Sequence, residues 1–308
     1  MPRILRTLIF ILFVPALAGC AGLVFQMAPV TFAQPFFQTD FSDLPPNETE
    51  AVGVPLVFKV PEPGDLHYAG NIKLFANEKE GKAIKFDFNI VRSEKFTPSG
   101  NTGDFIHEVH HDIDQGGGAI DEKMILSPRG EIKKFMKGEH RSELGKFDVT
   151  EYSRTPFFPE GSVKVGDSWS SVEEISYKIR SVWIKQTKPS HKTIVSKSIL
   201  KGFTTVALRR VAVIYTESEE QSREEFSLMF KDIKIDVGTK IEEIMYFDYA
   251  RGVVVRQLTN TLTSSTVLDL GMSDVGKSQS YFYLDEETLH NDGFGRSESV
   301  KAGDGARA

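Results

Sequence analysis

The chain has a single cysteine, Cys20, in 308 residues. No disulfide can form within it, so the fold must be held by burial and hydrogen bonding alone. It has no apolar run approaching the roughly twenty residues of a transmembrane helix. It also lacks a basic cluster, and its formal charge is −6, so nucleic acid is a poor partner. The nucleophile-elbow pattern G-x-S-x-G is missing, which leaves serine-hydrolase chemistry without support. Long segments with a period of 3.6 residues are missing too, which argues against a helical fold. What remains is ordinary globular material, 40% hydrophobic and 26% charged, in a length sufficient for one large domain or two small ones.

The one cysteine stands in an informative place. Arg3 and Arg6 precede an apolar core from Leu8 to Leu17, and Leu17-Ala18-Gly19-Cys20 follows. That order reads as a secretory signal with small residues at the cleavage site. Leu-Ala-Gly-Cys resembles the bacterial lipobox. The resemblance implies a signal peptide over 1–19, diacylglycerol on the Cys20 sulfur and an acyl chain on the new amino terminus. Two or three such chains hold a protein on a membrane essentially permanently, at roughly 0.8 kcal/mol per buried methylene. Ala21 follows the cysteine where an Asp would imply inner-membrane retention. The expected location is therefore the outer membrane facing the periplasm, or the cell surface if the source is not Gram-negative. Cleavage removes Arg3 and Arg6 and no acid, moving the formal charge from −6 to −8.

Residues 20–53 read as a flexible tether, rich in proline and carrying Phe25, Phe32, Phe36, Phe37 and Phe41. From residue 54 the pattern has period two. Ile84, Phe86, Phe88 and Ile90 alternate with Lys85, Asp87 and Asn89, and Ile233, Ile235 and Val237 alternate with Lys234 and Asp236. Each set places its apolar groups on one face of a strand. Turn signals such as Pro98-Ser99-Gly100-Asn101, Pro128-Arg129-Gly130 and Ala250-Arg251-Gly252 separate the runs. Residues 171–180 and 218–230 fit a strand least well and are open to a helical reading. The fold class expected is mainly β: an antiparallel curved sheet or half-barrel.

Two stretches echo one another. Met124 to Gly130 resembles Tyr246 to Gly252, each an apolar strand leading to an Arg-Gly turn. Val60 to Leu66, with Gly64-Asp65, parallels Val163 to Trp169, with Gly166-Asp167. This suggests two tandem related lobes, 54–155 and 156–290, followed by a disordered tail over 291–308. The segment Phe158 to Trp169, with its V-x-V-G-D-x-W, resembles a segment of secreted bacterial β lipoproteins similar to the LolA/LolB-like half-barrel carriers. That resemblance implies a concave sheet holding acyl chains, and no catalytic residues.

Three motifs suggest chemistry. Gly271 to Ser278 spells the P-loop G-x-x-x-x-G-K-S, but Gln-Ser-Tyr-Phe-Tyr-Leu follows and reads as a strand, where phosphate binding needs a helix. His107-Glu108-Val109-His110-His111 spells H-E-x-x-H, which binds zinc from a helix. Here the alternation places His107, Val109, His111 and Ile113 on one strand face, with Glu108, His110 and Asp112 on the other. His107, His110 and His111 remain the metal-ligand candidates, with Glu122, Glu131, Glu139 and His140 downstream. Gly116-Gly117-Gly118 reads as a hairpin tip. His67, His140, His191 and His290 read as surface or strand residues.

The function expected is non-enzymatic: a membrane-anchored lipoprotein that binds lipid or another apolar ligand on a β-sheet face and needs no cofactor. A second reading is an envelope-assembly protein that docks a partner through its aromatic tether and a sheet edge. A third is a zinc metallohydrolase built on His107, Glu108 and His111. Whether the sheet encloses a cavity is open at this stage, because a filled core gives the same alternation.

Overall fold

The computed structural model describes residues 53–285, apart from residue 63 and the stretches 76–84, 101–102, 115–117, 143–144, 181–183, 187, 229–230 and 269–271. Cys20, most of the tether, Ile84, Gly116, Gly117, Gly271 and the tail beyond 285 lie outside the described residues.

Among the described residues there are fifteen strands: β1 (Val54–Pro55), β2 (Asp65–Phe75), β3 (Lys85–Pro98), β4 (Phe105–Ile113), β5 (Gly118–Leu126), β6 (Ile132–Ser142), β7 (Gly145–Arg154), β8 (Ser162–Val163), β9 (Ser168–Arg180), β10 (Ile184–Lys185), β11 (Ser190–Val206), β12 (Arg209–Leu228), β13 (Lys231–Asp248), β14 (Val253–Val267) and β15 (Met272–Leu284). No α-helix occurs among the described residues. The two stretches open to a helical reading lie in β9 and β12. Twelve strands form one antiparallel sheet that closes on itself, because β12 pairs with β13 as well as with β11. The mainly β, antiparallel expectation therefore holds, and the sheet curls beyond a half-barrel into a complete barrel. Closure satisfies every strand's backbone through a neighbour and leaves no free barrel edge.

The period-two pattern places alternate residues inside and outside. On β3, Phe88, Ile90, Arg92, Glu94 and Phe96 face the lumen, while Val91 and Lys95 are exposed. The outer wall is charged at mid-height. Lys123 pairs with Glu108 at 2.9 Å, Lys137 with Asp121 at 3.2 Å and Lys240 with Glu219 at 3.5 Å. Charge at these outward positions contrasts with the apolar outward band of a membrane-spanning barrel.

One end of the barrel is plugged. Residues 54–64 lead into β2 and residues 155–167 lead into β9, and both cross this end, joined by the β1–β8 pair. Leu56, Phe157 and Phe158 sink into it against Leu200, Ile214 and Phe247. Both Arg-Gly turns clasp the plug. Phe58 N–H donates to the Pro128 carbonyl at 2.7 Å, and Lys59 N–H to the Gly252 carbonyl at 3.3 Å. Arg129 Nε donates to the Phe158 carbonyl at 3.0 Å, and an Arg251 guanidinium nitrogen to the Glu62 carbonyl at 3.3 Å.

The sequence echo thus has a spatial counterpart. Each of the stretches 54–155 and 156–290 contributes a plugging lead-in and six barrel strands: β2 to β7, then β9 and β11 to β15. In each set the Arg-Gly turn joins the fourth strand to the fifth, β5 to β6 and β13 to β14. The two stretches are laid out alike, and together they make one barrel.

The Gly166-Asp167 turn has the geometry its residues dictate. Gly166 has φ +92°, a region that costs other residues roughly 1–2 kcal/mol. Asp167 Oδ2 accepts from Lys164 N–H at 2.8 Å, and Trp169 Nε1 donates to the Phe157 carbonyl at 2.6 Å. A Cβ at Gly166 would meet only open space. Gly166→Ala should therefore cost about 1–2 kcal/mol from the backbone alone, read from urea unfolding. A neutral effect would mean that the turn relaxes freely.

Candidate functional site

Above the plug the barrel encloses a cavity of about 580 Å³, within the range of small-molecule sites. Its floor is aromatic, with Phe58 and Phe157 of the plug and Phe96 of β3 bordering the space. Its walls carry Ile72, Phe88, Ile90, Val109, Ile113, Ile120 and Ile175. Between floor and upper wall runs a belt of polar side chains from β2, β3, β4, β5, β7, β9, β11, β12, β13 and β14.

The belt is built from pairs. The Arg92 guanidinium contacts Glu94, whose other oxygen lies 3.2 Å from His107 Nε2. Burial alone would raise the Glu94 pKa, but Arg92 and the His107 hydrogen bond overcome it and hold the value down at about 2. Arg154 Nε lies 3.1 Å from Glu173, which also accepts from the Tyr152 hydroxyl. Lys192 pairs with Glu220 at 2.6 Å. Tyr68 donates to the Val254 carbonyl at 3.0 Å. Burial first, then a neighbouring glutamate, pushes the pKa values of Tyr68 and Tyr152 well up. Both hydroxyls therefore remain protonated donors.

Two lumen carboxyls differ. Glu243 accepts from Gln257 Nε2 at 2.7 Å. Glu122 has no hydrogen-bond partner among the described residues, and neither carboxyl contacts a cation there. Burial raises the pKa of both.

His107 and His111 face this lumen from β4, as the alternation required, and His110 faces out. His110 Nδ1 lies 2.7 Å from Asp121, an outer contact that raises its pKa. Glu108 also points outward, to Lys123, so the glutamate that a zincin aims at its metal lies on the opposite face from His107 and His111. No group of three or more His, Cys, Asp or Glu among the described residues could hold a metal ion. Gly276, Lys277 and Ser278 lie inside β15, paired to Thr263, Leu262 and Thr261, and the strand continues past them to Leu284. His140, read from sequence as a surface or strand residue, is a strand residue that faces inward and is buried.

Arg92, Glu94, Arg154, Glu173 and Glu243 drew no notice as site residues in the sequence, and Glu122 drew notice only as a spare metal ligand. The signal was nevertheless present for two of them. Extending the Ile84-Phe86-Phe88-Ile90 face by its own period places Arg92 and Glu94 on the apolar side, where charge is costly unless it is paired or used. No family model matches the chain, and no curated protein matches it.

Proposed function

We propose that this protein is a non-enzymatic binding protein that encloses an amphipathic small molecule in its barrel while Cys20 anchors it to a membrane. The observation that carries the reading is the partly open barrel cavity, which has an aromatic floor, mostly apolar walls and a polar belt. An apolar tail loses its water against Phe58, Phe96 and Phe88 at about 25 cal/mol per Å². The belt then takes the polar end. The charged outer wall suits a barrel that stands off the membrane on its tether, in the periplasm of a Gram-negative cell. The docking alternative loses its sheet edge to barrel closure and keeps only the tether.

The Cys20→Ala chain, which leaves no thiol to acylate, should carry a near-stoichiometric small amphiphile in native mass spectrometry. That mass should be recovered by organic extraction. A protein that arrives empty, and stays empty when offered alkyl chains of any polarity, would sink the reading.

A further inference from the structure

The charge count inside the lumen favours one kind of polar end. Three cations line it at inward strand positions, Arg92, Arg154 and Lys192, and each has its own carboxylate: Glu94, Glu173 and Glu220. Glu122 and Glu243 remain. Glu139 also borders the space, but it is held from the outer face by Arg141 and Lys146. Glu122 belongs to β5 and Glu243 to β13, the fourth strands of the two halves. They stand six strands apart around the ring, on opposite walls. Glu122 is half-buried, lines the cavity and has no hydrogen-bond partner among the described residues. A carboxylate turned into a cavity without a protein donor can accept from a ligand that brings one.

From this cavity and its unmatched carboxyls, we infer that the ligand of the barrel carries a protonated amine, which Glu122 binds from one wall with Glu243 facing it. The inference rests on the binding-protein reading above and names its ligand class. A fatty acid or phosphate head would find Arg92, Arg154 and Lys192 each ion-paired with its own carboxylate, although Arg92 Nε and Arg154 Nε make no hydrogen bond, and would face two further carboxyls. An ammonium supplies the donors that Glu122 lacks, and its charge-assisted hydrogen bonds are the strong kind. The apolar part lies on the aromatic floor.

Octylamine, octanol and octanoate share one tail and separate the two ideas. Titrated calorimetrically into the Cys20→Ala chain at neutral pH, octylamine should bind about ten- to a hundredfold more tightly than octanol, the range expected of a charge-assisted bond. Octanoate should bind most weakly. Glu122→Gln, which keeps the side chain's shape, should bring octylamine to the level that octanol shows in the same variant. Should that variant fail to fold, Glu243→Gln must still narrow the gap. Octanol matching octylamine, or octanoate binding best, overturns the amine inference and leaves the binding reading intact. If none of the three binds, the binding reading falls and the inference with it.

Discussion

Phe158→Ala should destabilise the barrel by about 3–5 kcal/mol, the range for a buried Phe whose site cannot collapse. Phe158 is fully buried, with ring centroids 4.9 Å from Phe58, 4.9 Å from Phe157 and 4.8 Å from Phe247. These neighbours come from three parts of the chain: the lead-in to β2, the lead-in to β9, and β13. The ring therefore bolts both lead-ins to the wall, and its loss leaves a void that none of the three can fill alone. Its backbone is independently fixed by the bond from its N–H to the Arg129 carbonyl at 3.0 Å, which limits relaxation further. Urea unfolding followed by tryptophan fluorescence would read the loss. Val195→Ala, at a side chain 51% exposed on the outer wall, serves as the control and should stay within about 0.5 kcal/mol of the parent. If Phe158→Ala behaved like that control, the plug would not unfold together with the barrel.

The same ring shows why part of this architecture was legible in the sequence and part was not. Strands and turns are local. Ile233, Ile235 and Val237 define a face, and Gly166 with Asp167 defines a turn, whatever the rest of the chain does. Closure is not local. It depends on β12 meeting β13 on one side and β11 on the other, and on β2 meeting β15 across the length of the domain. No short window of sequence holds that information. The plug was hidden for a related reason. Residues 54–64 read as the opening of the first lobe, with nothing local to set them apart from barrel strands, and only the Arg-Gly turns that grip them give them a place. The echo between Arg129-Gly130 and Arg251-Gly252 was visible as text, and its physical reason is the shared task of holding the plug.

The lumen was half legible. The alternation correctly put His107 and His111 on one face and Glu108 on the other, which dismantles the zincin pattern without any three-dimensional information. It did not show that the shared face looks into an open cavity. It also did not match Arg92 with Glu94 or Arg154 with Glu173, because pairing inside a barrel is decided by register and curvature. Charges at inward positions are the sequence sign of such a lumen. A filled core of this size would strand them, and an enclosed polar belt gives them partners.

His111 gives the barrel a specific weakness to acid. Burial, then the Arg92 charge, lowers its pKa from about 6.5 to about 3, so the native protein holds it neutral. Between those two values the unfolded chain binds a proton that the folded chain refuses. Its contribution is therefore intact above about pH 6.5 and drains away as pH falls, at about 1.4 kcal/mol per pH unit. Other lumen groups titrate in the same region. Glu94, held near 2, loses its contribution as pH falls from its ordinary value of 4.5 towards 2. Glu122 and Glu243, whose pKa values are raised, push the other way and favour the fold as they protonate. The clean reading is the difference between the parent and His111→Gln, in which those terms cancel. From pH 6 to pH 4 the parent's stability relative to the variant should fall by about 2 kcal/mol or more. A flat difference would mean that water reaches the ring and lets it protonate in place. A falling one places the acid sensitivity on β4, beside Arg92, in the polar belt of the lumen.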